Sequence, residues 1–312
     1  MQNATFLGGR LRGAEHPVVR ERQVRPVDQW CEWIHSRRQG GRELEPDQQT
    51  ELERYRQGVL AGARLKDNDA LLDVGCGDGL IGFGALEADV RVHVVFSDVS
   101  AQLLGLCEER ARQMGVSERC RFVQARAEEL TGIDDQSVDV VTTRSVLIYV
   151  NDKRQALSEF FRVLRPGGRL SLFEPINRRM LPEPTGCFWG WDVSAVAALA
   201  ERVSGAFHRA GSPEVKTMVD FDENDLVRLA EASGFEAIDL HLNVSVMPAA
   251  RRDWDRILNS SPNPLAPTLG EAIAASLDRR EATLFQDALR LSVETGRGKH
   301  RLAVAYLRAG KT

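Results

Sequence analysis

At 312 residues the chain is long for one compact domain and short for two full-sized ones, and its 43% hydrophobic and 28% charged residues exclude a disordered or fibrous protein. Its 41 basic and 45 acidic side chains leave a formal charge of −4, without the basic field that unspecific nucleic-acid binding draws on, so no nucleic-acid partner is expected. No stretch approaches the ~20 apolar residues of a membrane span, the amino terminus lacks an apolar targeting core, and five cysteines (31, 76, 107, 120 and 187) form no C-x-x-C pair, so a cytoplasmic protein with no membrane partner is expected.

Only five of the basic residues are lysines, a bias that reads as GC-rich, bacterial coding. Residues 1 to about 27 show no period and suggest an arm. From Trp30 to Leu65 apolar residues recur at helical spacing, broken at Gly40-Gly41, with Pro46 in the first turn of a second helix. From Asp69 short apolar runs at 70–74, 91–97, 120–124, 138–143 and 168–174 alternate with amphipathic stretches at 80–88, 100–114 and 152–164, the pattern of a parallel sheet. After Pro175 the alternation fails for some 45 residues. Asp222 then caps a helix ending at Gly234, followed by strands at 235–242 and 301–307.

The segments divide as arm and helical lid 1–66, core 67–175, helical insertion 176–220, core helix and sixth strand 221–247, second helical insertion 248–298, and last strand 299–312. Thr268-Leu269-Gly270-Glu271 has the form of a capping box, opening a helix that carries Ile273, Leu277, Leu284 and Leu291. Helical insertions beside strand ends usually build substrate walls.

Leu71-Leu72-Asp73-Val74-Gly75-Cys76-Gly77-Asp78-Gly79 runs from a strand into a helix, where glycines let the backbone turn tightly against a ligand. Asp98 closes the next strand, nineteen residues after Gly79, where an acid can accept both hydroxyls of a ribose. Together they point to an adenosine-type cofactor at the carboxyl edge of the sheet. Gly77 to Gly82 also carries dinucleotide spacing, so a nicotinamide-dependent oxidoreductase stays in view.

With Gln124-Ala125-Arg126-Ala127-Glu128-Glu129-Leu130, Val138-Asp139-Val140-Val141 and Arg162-Val163-Leu164-Arg165-Pro166-Gly167-Gly168 in this order, residues 67–175 resemble the class I S-adenosylmethionine-dependent methyltransferases, nearest the ubiquinone/menaquinone methyltransferase-like group. The resemblance implies an α/β, Rossmann-like seven-stranded sheet with an antiparallel last strand, an amino-terminal helical lid and S-adenosyl-L-methionine as cofactor. It further implies that Asp73, Gly75, Cys76, Gly77 and Gly79 line the methionine part, that Asp98 and Val99 hold the ribose, and that the Ala127 amide meets the adenine. Arg126 stands where similar enzymes carry an aspartate for the adenine amine; either Glu128 takes that role or Arg126 stacks on the ring. Arg144 sits where the fourth strand faces the methionine end.

Methyl transfer is an in-line displacement at a carbon activated by a sulfonium, so it needs alignment and a dry pocket, and no metal. Glu174 is the first candidate for orienting or deprotonating an acceptor, and Tyr149, beyond Arg144 after the fourth strand, is the second catalytic candidate. Trp189, Trp191 and Asp192 form an aromatic cluster suited to an apolar or cationic acceptor, which Asp220 and Asp222 would make acidic, and Trp33 belongs to the lid. His35, His241 and Asn243 are further pocket candidates.

The expected activity is methyl transfer to N, O or C of a small metabolite in bacterial specialised metabolism. Such scaffolds are also recruited for cyclisation or decarboxylation, which stands as the alternative. A homodimer built on the second insertion and the arm is open.

Overall fold

The computed structural model describes residues 28–312 except 39, 42, 89 and 210–215; the expected arm up to residue 27 lies outside them. Helix α1 (Gln29–Glu32) runs into a π-helical turn (Trp33–Arg37), and α2 (Pro46–Ala63) starts with its proline in the first turn. The core follows as β1 (Ala70–Val74), α3 (Leu80–Leu86), β2 (His93–Asp98), α4 (Ala101–Gln113), β3 (Cys120–Gln124), β4 (Val138–Arg144), α5 (Lys153–Val163) and β5 (Leu164–Pro175). A two-residue hairpin, β6 (Cys187–Phe188) and β7 (Trp191–Asp192), and α6 (Ala197–Arg209) make the first insertion. Next come α7 (Glu223–Ala232) and β8 (Glu236–Pro248), the second insertion with α8 (Trp254–Leu258), α9 (Leu269–Ser276) and α10 (Arg279–Thr295), and β9 (Lys299–Gly310).

Seven strands form one sheet in the order β3-β2-β1-β4-β5-β9-β8, the first five parallel and β9 antiparallel to both neighbours. Helices cover both faces, so the central strands read as apolar runs rather than alternating ones. Leu71, Val94 and Phe96 pack on Phe83 and Leu104 on one side; Leu72, Leu170 and Leu172 pack on Leu157, Phe160 and Leu226 on the other. Because the order reverses at β1, the carboxyl ends of β1, β2 and β4 open a crevice there.

The structure corrects several expected elements. Strand β8 runs six residues beyond the expected end because β9 pairs with it as far as Pro248–Lys299. Its far end points Val244, Val246 and Met247 at solvent, so no core alternation marked it. The single helix expected after Thr268 is two: Thr268 caps α9, and Asp278 caps α10 with its own capping box to Glu281. The break shifts the helical phase, leaving Leu284 and Leu291 exposed while Phe285, Leu289 and Val293 are buried. The two insertions also share one core, in which Phe188, Trp191 and Val203 of the first meet Trp254, Ile273, Phe285 and Leu289 of the second.

Candidate functional site

The site begins with the turn after β1. Gly75 and Gly77 take left-handed backbone (φ +64° and +56°), and a Cβ on Gly75 would collide with the Val146 side chain. Asp73 turns beneath this loop: its carboxyl accepts the Gly82 amide (3.0 Å) and the Thr142 hydroxyl (3.1 Å), and burial pushes its pKa up to about 7. Asp98, at the end of β2, accepts the amides of Gly77 and Ser100, both at 2.9 Å, and burial raises it too. The Cys76 thiol is buried under the loop against Cys107, which with burial holds it well above the usual thiol range.

Over the strand ends lies a cavity of about 580 Å³. Gly75, Gly77, Asp98, Val99, Ala127, Glu128 and Arg144 line it, as do Tyr149 and Trp33. Sheet order places both acids on one side of β1, Asp98 at the end of β2 and Glu128 after β3 with Arg126 beside it, whereas Arg144 ends β4 on the other side. Arg126 lies 3.5 Å from Glu128 and is itself largely exposed, so Glu128 is the more enclosed of the two. Ser145 is a non-glycine residue in left-handed backbone (φ +57°), held by the hydrogen bond that its amide donates to the Phe173 carbonyl (2.8 Å). Strain of this kind persists where surrounding structure over-determines it, often at functional sites.

The roof has two parts that the sequence did not join. Trp30, Trp33, Ile34 and Arg38 come from the amino-terminal turn, and Ser261, Pro262 and Leu265 from the second insertion. The Trp33 indole donates to the Ser261 carbonyl (2.9 Å), the Ser261 amide donates to the Arg37 carbonyl (2.8 Å), and the Arg37 guanidinium reaches the Ala266 carbonyl (3.2 Å) and Glu271 (3.0 Å). Asp28 ties the same turn to α4 by accepting the Ser100 hydroxyl (2.6 Å), while its amide donates to Gln102 (3.0 Å). Only the Pro262-Asn263-Pro264 run hinted that the second insertion would reach the site through a loop and not a helix.

Several candidates stand elsewhere than expected. Asp73, Cys76 and Gly79 build the loop from behind and do not line the cavity. Glu174 is fully buried, its carboxylate accepting the amides of Val146 (2.9 Å), Leu147 (2.9 Å) and Ile148 (3.3 Å). It therefore shapes the turn after β4 and does not line the cavity. Trp191 and Trp189 pack into the core shared by the insertions, Trp189 stacking on Phe188 at 5.3 Å. Asp192 pairs with Arg297 (3.0 Å), Asp220 with Lys153 (2.8 Å), and Asp222 caps α7, so no acidic acceptor pocket forms from them. His35 and His241 are exposed and off this cavity, as is Asn243. The lid residues Trp30 and Arg38, by contrast, reach it, Trp30 meeting Tyr149 edge-on at 5.0 Å.

Residues 72–172 match the family model described as a methyltransferase domain. Over 185 residues the chain is 31% identical to the ubiquinone/menaquinone biosynthesis C-methyltransferase UbiE of Brucella anthropi, an alignment covering 59% of this chain and 69% of that protein. Among solved structures it resembles the YcgJ protein of Bacillus subtilis (TM-score 0.53, 17% identity, 83% of this chain and 98% of that one). It also resembles the [4+2]-cyclase SpnF (TM-score 0.52, 21% identity, 89% and 87%). No helix among the described residues is long and apolar enough to cross a membrane.

Proposed function

The chain belongs to the class I S-adenosylmethionine-dependent methyltransferases, near the ubiquinone and menaquinone C-methyltransferase group, and on that premise we propose that it methylates a small metabolite, of the kind made in bacterial specialised metabolism, inside the cavity at the strand ends. The observation that carries this reading is the roof. Bonded together through Trp33 and Ser261, the amino-terminal turn and the second insertion leave about 580 Å³ for cofactor and acceptor, a space suited to small molecules. The five free thiols fit a reducing cytoplasm.

The residues present suit the cofactor. Gly75 and Gly77 leave the loop wall bare, where a Cβ at Gly75 could not fit beside Val146. The Asp98 carboxylate, oriented by two amides, takes the ribose hydroxyls. Val99 packs beside it, and the Ala127 amide and Glu128 meet the adenine. Bound S-adenosylmethionine supplies a methyl group on a positive sulfonium.

The chain's own part is alignment and exclusion of water, worth about 7–11 kcal/mol of barrier in well-oriented reactions. Tyr149 stays a neutral phenol at neutral pH, because burial pushes it up to about 12. It donates a hydrogen bond to the acceptor and does not take its proton. Glu174 is a positioning residue that holds the Val146–Ile148 turn on which Tyr149 follows.

Two measurements test the function. S-adenosylhomocysteine at ~100 times its dissociation constant should stabilise the protein by about 2.7 kcal/mol, and NAD should not. Labelled methyl should pass from S-adenosylmethionine into the small-molecule fraction of a cell extract. Stabilisation by NAD alone, or label only in protein or nucleic acid, would refute the reading.

A further inference from the structure

The cavity is asymmetric in charge. Both carboxylates on its wall, Asp98 and Glu128, lie on the side of β2 and β3. The β4 side presents Arg144, Tyr149, Asn151 and Asn177, and the roof above adds Arg38, whose guanidinium sits 5.4 Å over the Trp33 ring. Among the described residues neither Arg38 nor Arg144 forms an ion pair, and no acid lines their side of the cavity. Burial and the neighbouring Arg144 both pull the Arg38 pKa down, with exposed Asp78 opposing them. Tyr149 adds a neutral donor. Two half-buried cations without an anionic partner are costly unless a ligand supplies one.

The cofactor supplies too little. It carries one carboxylate against its own ammonium and sulfonium, so binding it leaves positive charge in excess around the two arginines. We propose that the β4 side of the cavity binds a methyl acceptor bearing an oxygen group that is anionic at neutral pH, a carboxylate or a phosphate, held by Arg38 and Arg144. This rests on the methyltransferase reading of the same cavity. Trp30, Trp33, Ile148 and Met218 wall the remaining space, so the acceptor's body is apolar. The nucleophilic atom is a different one and carries a proton: its electron pair forms the bond to the methyl carbon, the carbon–sulfur bond breaks with its electrons going to sulfur, and the proton leaves to water. The anion is unchanged, so the product keeps its charge.

The test sorts products by charge. Purified enzyme is incubated with labelled S-adenosylmethionine and a small-molecule extract of the source organism, and labelled products are run over anion and cation exchangers at pH 9. The proposal expects label retained on the anion exchanger; loss of retention after alkaline phosphatase identifies a phosphate, and its persistence a carboxylate. Calorimetry then measures the isolated product on protein saturated with S-adenosylhomocysteine. Arg38→Gln and Arg144→Gln should each weaken that binding about 10- to 100-fold, the range for charge-assisted hydrogen bonds. Label in a neutral or cationic product, or product binding unchanged in both variants, overturns the proposal. Failure of S-adenosylhomocysteine itself to bind the wild type would instead overturn the methyltransferase reading, so the two failures are distinct.

Discussion

Replacing Glu174 with glutamine tests whether the buried carboxyl behind the site is neutral or charged when the protein is folded. Burial raises it to about 7 against the ordinary 4.5, although three backbone amides favour the anion. Because the folded state holds this proton more tightly than the unfolded chain, its contribution is complete below pH 4.5 and lost as pH rises through 7. At 1.36 kcal/mol per pH unit the loss is about 3 kcal/mol. Glutamine cannot titrate there. Its carbonyl oxygen can still accept the Val146 and Leu147 amides, which share one oxygen of the native carboxylate, while the Ile148 amide loses its acceptor. Urea denaturation of both proteins from pH 4 to 8 should therefore show wild type losing about 3 kcal/mol relative to Glu174→Gln. Asp73, also raised to about 7, titrates in both and cancels from the difference. Parallel curves would refute the reasoning and mean that the amides keep Glu174 ionised throughout.

Gly75→Ala places a Cβ against Val146 in left-handed backbone and should destabilise by about 1–2 kcal/mol while weakening S-adenosylhomocysteine binding, read by calorimetry. Trp33→Phe removes the indole donor to the Ser261 carbonyl; it should cost about 1 kcal/mol of stability and raise the acceptor KM more than it lowers kcat. Trp191→Ala should cost about 3–5 kcal/mol, measured by thermal or urea unfolding, yet leave the acceptor KM of the folded fraction unchanged, because Trp191 packs the insertion core and does not touch the cavity.

The parallel core was legible because each of its signals is local: apolar runs at 70–74 and 138–143 match β1 and β4 within a residue, and the glycines after β1 require a turn only they take easily. Capping residues marked starts as well, at Pro46, Asp222 and Thr268. What tertiary structure decided was which way side chains at strand ends and in insertions point. Glu174 lies in a strand covered on both faces, where alternation carries no facing signal, and only the turn after β4 shows what its carboxylate serves. Trp189 and Trp191, expected to wall an acceptor, are seen to be core only where α6 and α10 close over them, and the Trp33–Ser261 bond joins residues 228 positions apart, a distance no local pattern spans. Residue type and spacing thus determined the fold and the cofactor loop, whereas the acceptor side depends on long-range packing between segments whose own sequences carry no record of each other.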